Sequence, residues 1–300
     1  MILTVSLNPA VDRTCRLGAL RPGAVNRMNS AVSVAGGKAV NVTKVLRQFR
    51  MPVAAVGFLG GTGGTLIQDT LEQLGVECHF TKIAGETRTT TNVLEENGRV
   101  TELLEPGPMI RGEELKQFLK QFTGCMDGCE LVVLSGSLPE GIPTDIYASL
   151  IKLCHMSGCQ VILDSSGEAL HRGVQAGPDL VKPNKKELEF LAGRNLDSRQ
   201  EIVRAARELL KFGVGSAVVS LGSEGLLWVD RENVLFREAK RVQVVNTVGC
   251  GDAVVASLSM SLLAKEDVEM AMDKAAAIAG ANASTGENGD VPMDVYLKLL

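Results

Sequence analysis

An α/β architecture built on a mostly parallel sheet is predicted by the alternation of two kinds of segment. Glu130–Ser135, Gln160–Asp164, Asp179–Lys182 and Ser216–Leu221 are short, near-continuous apolar runs. Runs of that kind are buried on both faces, as strands of a parallel sheet are. Thr144–Met156 and Ser198–Phe212, lying between them, carry a helical period, which supplies the crossover helices that parallel strands need.

The remaining elements follow in chain order. Met1–Leu7 reads as a buried strand that Asn8-Pro9 terminates, without the basic n-region of a signal peptide. Lys38–Phe49 and Gly64–Leu74 read as helices flanking the strand Val53–Phe58, and Asp252–Ala264 and Asp267–Ser284 as consecutive helices. Arg13–Val34 and Thr87–Leu104 break the rhythm, with strand-like alternation and no helix between their runs. Asn97-Gly98 places a hairpin turn in the second. Too polar to form a core layer, they are expected to make a small sheet standing off the main body, as a lid or a dimer surface.

The chain has 300 residues, 45% hydrophobic and 22% charged, with a net charge of −4. That is ample for a large core and argues against nucleic acid as the main partner, since backbone phosphates call for a basic surface. No run reaches the roughly 18 apolar residues that span a bilayer, so no membrane partner is expected. The seven cysteines are scattered without CxxC spacing. They fit structural thiols in a reducing, cytoplasmic compartment better than a zinc site.

Chemistry concentrates in glycine-bearing turns. Val248-Gly249-Cys250-Gly251-Asp252 runs into an apolar helix. Its glycines free backbone N–H groups for an anion at the helix start. Asp252 there is either a first-turn carboxylate favoured by the helix dipole or a base facing a migrating phosphoryl group. Gly36-Gly37-Lys38 with Asn41 one turn later either approaches an anionic ligand or forms a glycine turn with a solvated lysine. The spacing is not that of a Walker loop. Gly57 to Gly64 lacks dinucleotide-binding spacing and is a sugar contact or a plain turn. Arg88 is a phosphate fork or a surface arginine. Asn184 and Glu187 suit a capping box, or a hydrated Mg²⁺. Ser220, Gly222 and Gly225 hold a nucleotide or merely turn the chain. His79, His155 and His171 form no triad-like context, and Ser135-Gly136-Ser137 is not a nucleophile elbow.

In their order along the chain these segments, with Asn8–Asp12, Glu105–Pro108 and Ser135–Pro139, resemble the ribokinase-like (PfkB) carbohydrate kinases. The closer likeness is to the branch holding 1-phosphofructokinase and tagatose-6-phosphate kinase, and it spans essentially the whole chain. The resemblance implies a single kinase domain over residues 1–300, a three-layer αβα sandwich with a β lid formed by about 13–34 and 87–104. It implies Asp252 as the base and Gly249, Cys250 and Gly251 with it as the anion hole. Asp12, Gly37, Lys38, Asn41 and Arg88 are implied to bind the acceptor, Lys38 and Arg88 taking the phosphate it already carries. Lys182, Asn184 and Glu187 are implied to serve ATP and Mg²⁺, the metal through water. Ser220, Gly222, Gly225 and Asn282 are implied to line the nucleotide site, Asn282 at the adenine.

Cys250 and Ala39 depart from the commoner Gly-Ala-Gly-Asp and Gly-Lys-Gly signatures, and a thiol at 250 is expected to be sensitive to oxidation. A ketohexose monophosphate is the expected acceptor, fructose 1-phosphate first, then tagatose 6-phosphate and fructose 6-phosphate. A non-catalytic sugar-phosphate sensor is the reading from a different class. A homodimer through the lid is the expected assembly.

Overall fold

The structure, a computed structural model, describes residues 1–300. The strands are β1 (Ile2–Ser6), β2 (Ala10–Leu17), β3 (Ser30–Gly36), β4 (Val53–Leu59), β5 (Glu77–Lys82), β6 (Arg88–Glu95), β7 (Val100–Leu104), β8 (Leu131–Ser135), β9 (Gln160–Asp164), β10 (Leu180–Val181), β11 (Ser216–Ser220), β12 (Gly225–Val229) and β13 (Val234–Glu238). The helices are α1 (Lys38–Gln48), α2 (Gly61–Gln73), α3 (Gly112–Gly124), α4 (Ile146–Met156), α5 (Gly167–Val174), α6 (Lys185–Ala192), α7 (Arg199–Leu210), α8 (Cys250–Ala264), α9 (Val268–Ala283) and α10 (Met293–Leu299).

A nine-stranded sheet runs β13-β12-β11-β10-β9-β8-β1-β4-β5. Its strands are parallel from β5 through β11 and antiparallel at the β12 and β13 edge. The apolar runs of the central strands divide between two cores by alternation. Leu3, Val5, Val132, Leu134, Val161 and Leu163 face a cluster shared with α3, α4, α5, α6 and α7. Ile2, Leu131, Val133 and Ile162 face another, shared with α1, α8, α9 and α10. Three layers result, as the resemblance implies.

Four strands, β3-β2-β6-β7, form a separate small sheet. The strand-like segments 13–34 and 87–104 lie in it. β2 starts earlier, at Ala10, and β3 runs on to Gly36. At that root Ala10, Val11 and Ala35 are buried against the main body. β1 has β4 on one side and β8 on the other, so strand order reverses there. In an open α/β sheet a ligand crevice forms at such a switch, beyond the carboxyl ends of the strands.

Candidate active site

The loops and residues at those strand ends converge. Asn8 follows β1, and its Nδ2 donates to the Pro106 carbonyl at 3.0 Å and to Ser137 Oγ at 3.1 Å. The segments around Asn8, Pro106 and Ser137 are therefore one structure. Asp164 closes β9 and Lys182 follows β10. The first turns of α1 and α8 point at the same place, since Asn41 Nδ2 donates to Asp252 Oδ2 at 2.8 Å. Gly37 makes the approach of α1 feasible. Its φ is +89°, and a Cβ there would lie 3.1 Å from the Pro9 Cα.

Asp252 sits in the first turn of α8 and is 7% exposed. Burial, and then the carboxylate of Asp164, push its pKa up to about 7, against the pull of Lys38, Asn41 and Lys182. A carboxylate so poised is suited to accept a proton near neutrality. Gly249 N-caps the helix with φ +85°, and no side chain caps this end. The N–H groups of Gly251 and Asp252 have no acceptor within the protein. Free donors, the helix dipole and a neighbouring cation make an anion site. The cation is Lys182, whose Nζ is 3.3 Å from where a Gly251 Cβ would stand. Any side chain at 251 would push into that ammonium.

Asp164 lies at the centre of the cations and is fully buried. Lys38 Nζ is 2.9 Å and Lys182 Nζ 3.4 Å from its Oδ1. Burial works against its charge, but Lys182 and Lys38 outweigh it and hold the carboxyl below the usual range. Burial likewise opposes the Lys38 ammonium, and Asp164, Glu187 and Asp252 raise it above its ordinary value. In the sequence Asp164 is only the last residue of an apolar run. The signal that could have found it is an ionisable group ending a strand otherwise buried on both faces.

Asn184 and Glu187 form the capping box of α6. Asn184 Oδ1 accepts from the Glu187 N–H at 2.9 Å, and Glu187 Oε2 accepts from the Asn184 N–H at 2.8 Å. Glu187 Oε1 is left free of the box, 3.9 Å from Lys38 Nζ. A free carboxylate oxygen and the buried, unpartnered Asp164 Oδ2 are hard donors that fit a hydrated Mg²⁺.

Asn184, Ser220, Gly222, Gly225, Cys250 and Gly251 all line one cavity of about 660 Å³, closed on its apolar side by Val254, Ala279 and Gly280. The size and apolar lining suit a nucleobase and ribose. Asn282 departs from its expected place at the adenine. It is fully buried, and its Nδ2 donates to the Asp290 carbonyl at 3.0 Å. It braces a loop behind the anion site, while its neighbours Ala279, Gly280 and Ala283 line the cavity. Successive helical residues point about 100° apart around the axis, so Asn282 and its neighbours lie on different faces of α9. Cys250 also departs from expectation. Burial, and then Asp252, push its thiol up to about 11, so the reactive thiolate is suppressed.

Asp12 is buried on β2, with Thr90 Oγ1 donating to its Oδ1 and Asn288 Nδ2 to its Oδ2 at 2.8 Å. Arg88 Nη1 donates to the Glu105 carbonyl at 2.9 Å and Nη2 to that of Asn8 at 3.2 Å. Lys38 and Arg88, implied to take one phosphate, rest on different partners in the structure. Lys38 belongs to Asp164 and Glu187, Arg88 to the root of the small sheet near Asp12 and Glu105. The Gly57–Gly64 turn is also resolved. The Glu86 carboxylate accepts from the Gly63 N–H at 2.8 Å, so the start of α2 already holds an acid of the chain itself.

The family model described as pfkB family carbohydrate kinase matches residues 5–293. Phosphofructokinase-2 from Escherichia coli, in complex with potassium, superposes with a TM-score of 0.91 at 28% identity over 99% of this chain and 97% of that one. A possible 1-phosphofructokinase from Thermotoga maritima gives 0.90 at 26% identity, over 99% and 96%. Arabidopsis thaliana ribokinase gives 0.79 at 22% identity over 99% and 97%, a likeness of fold. With the family model covering all but the chain's ends and the site's carboxylate, cations and free N–H groups in one crevice, the chain belongs to the pfkB family of carbohydrate kinases.

Proposed function

We propose that the protein is an ATP-dependent kinase of a ketohexose monophosphate, with fructose 1-phosphate converted to fructose 1,6-bisphosphate as the first reading. The observation that carries the chemistry is Asp252, a buried carboxylate with its pKa at about 7 beside unpaired N–H groups and Lys182. Asp252 takes the proton of the acceptor hydroxyl. The hydroxyl oxygen bonds the terminal phosphorus of ATP, the bond from that phosphorus to the bridging oxygen breaks, and ADP leaves with the electron pair. The N–H groups of Gly251 and Asp252, with Lys38 and Lys182, steady the charge on the migrating group. Glu187, Asp164 and Asn184 suit Mg²⁺ held through water, which neutralises nucleotide phosphate charge when bound.

Ser220, Gly222 and Gly225 line the nucleotide cavity. Asp12, Gly37 and Asn41 face the acceptor, and Arg88 takes the phosphate it already carries. Fructose 6-phosphate is a second reading, because the solved Escherichia coli phosphofructokinase-2 includes a complex with that compound at 28% identity. The small sheet is read as a lid and as the interface of a homodimer. Support comes from Val32 and Leu104, which are 56% and 63% exposed. Register with Thr14 and Thr90 puts both on the Asp12 face.

Turnover of ATP with a panel of ketose monophosphates and free sugars tests the reading. Fructose 1-phosphate is expected to give the highest kcat/KM. Tight binding of sugar phosphates without turnover indicates a sensor, and turnover confined to free sugars removes the role given to Arg88.

A further inference from the structure

A buried chain of side-chain amides joins the carboxylate of Asp12 to the loop that carries the anion site. Asn288 lies between α9 and α10 and is 2% exposed, as is Asn246. Asn288 Nδ2 donates to Asp12 Oδ2 at 2.8 Å, and Asn246 Nδ2 donates to Asn288 Oδ1 at 2.9 Å. Asn246 Oδ1 then accepts from the Val248 N–H at 3.0 Å, one residue before Gly249. The polarity of this chain is forced at both ends. Asp12 as a carboxylate only accepts, and the Val248 N–H only donates, so each amide has one workable orientation.

The middle of the chain is tied to α1. Lys44 Nζ donates to the Asn288 carbonyl. Gln48 grips the next residues, donating to the Gly289 carbonyl at 2.7 Å and accepting from the Val291 N–H at 2.8 Å. Gly289 has φ +68°, and a Cβ there would stand 3.1 Å from the Asn41 Cα. Asn41 is the residue that holds Asp252. Asp12 on the small sheet and the start of α8 are therefore joined by a continuous hydrogen-bonded path rather than by a loose loop.

We propose that Asn288 is a positioning residue that couples occupancy of the acceptor site at Asp12 to the geometry of the Gly249–Asp252 anion loop. The inference rests on the assignments of Asp12 to the acceptor and of that loop to the transferring phosphoryl group. Asn288 hydrogen-bonds Asp12 itself and is given no contact with the acceptor or the phosphoryl group. It acts by setting Asn246, and through it the Val248 N–H and the left-handed turn at Gly249. Coupling of this kind is reciprocal, so acceptor and nucleotide each tighten the binding of the other by the same factor.

The test measures binding of a non-hydrolysable ATP analogue by calorimetry, with and without saturating fructose 1-phosphate or whichever acceptor the panel identifies, beside steady-state kinetics. In the unsubstituted protein the acceptor is expected to tighten the analogue by about 5–150-fold. In Asn288→Ala that factor falls towards one and kcat drops by about 10–100-fold, while affinity for the analogue alone stays within about threefold. Asn288→Asp keeps the acceptor for Asn246 but sets a carboxylate against Asp12. Its activity relative to the unsubstituted protein is expected to recover as pH falls, because the protonated carboxyl again donates to Asp12. A merely structural role does not produce that recovery. The inference is overturned if the acceptor leaves analogue affinity unchanged in the unsubstituted protein, or if both variants retain kcat and the coupling factor. A protein that transfers no phosphoryl group at all overturns the proposed function, and this inference with it.

Discussion

Asp252 combines a destabilising position with a chemical use, and the two are separable by substitution. Asp252→Asn retains the shape and the acceptor for Asn41 but removes the proposed base, so kcat is expected to fall by about 10²–10⁴. The same change removes a buried charge. The pKa of Asp252 is about 7 in the fold, against an ordinary value of 3.8. The folded state then holds the extra proton between those values, and the side chain's contribution to stability declines as pH rises through that window. Asp252→Asn is accordingly expected to raise Tm by about 2–4 °C at pH 8 and to change it little at pH 4, as scanning calorimetry can show.

Asp164 adjusts the same group from a distance. Its negative charge is among the causes that raise Asp252, and it occupies Lys38 and Lys182. The acid limb of kcat/KM should fall near pH 7, and Asp164→Asn should move it to lower pH. An unmoved limb separates the limb from Asp252. Nothing in the run Gln160–Asp164 announced this role, because the partners of Asp164 come from α1 and from the end of β10. Asp252, by contrast, stands out in the sequence beside two glycines at a helix start, a context that by itself leaves a dipole-favoured carboxylate and a base both open.

Among the elements, those with an unmixed pattern were legible. β9 matches its apolar run, and α1, α4, α7, α8 and α9 begin or end within a few residues of their periodic segments. β5 carries no legible pattern, being a partly exposed edge strand of mixed polarity, Glu77–Lys82. α3 is illegible in the sequence because Phe118 and Phe122 are its only buried residues, too narrow a stripe to show a period. At α6 structure and proposed function overlap in one residue. Asn184→Ala should cost about 1 kcal/mol of stability through the lost cap, read by chemical denaturation. A rise in KM for MgATP larger than the stability loss explains would show the second role given to Asn184.

In the molecule as a whole, the face of the small sheet that carries Asp12 also exposes Val32 and Leu104. Leu104→Glu puts a charge on that surface and is expected to shift sedimentation from dimer to monomer while far-ultraviolet circular dichroism stays unchanged. A monomeric unsubstituted protein removes the interface. No helix is long and apolar enough to cross a membrane, which agrees with the absence of any such run in the sequence.

The sequence by itself determined the alternating α/β plan with its parallel sheet, the separate small sheet and the glycine turns around Asp252, because each is written in local periodicity or in local turn residues. Tertiary structure alone decided how the cations divide, with Lys38 at Asp164 and Arg88 at Asn8 and Glu105. It also decided that Asn282 braces a loop instead of facing the cavity, and that Asn288 bridges Asp12 and Asn246. Ion pairs and amide chains join residues far apart in the chain, and their partners are fixed only by distance and direction in the folded molecule.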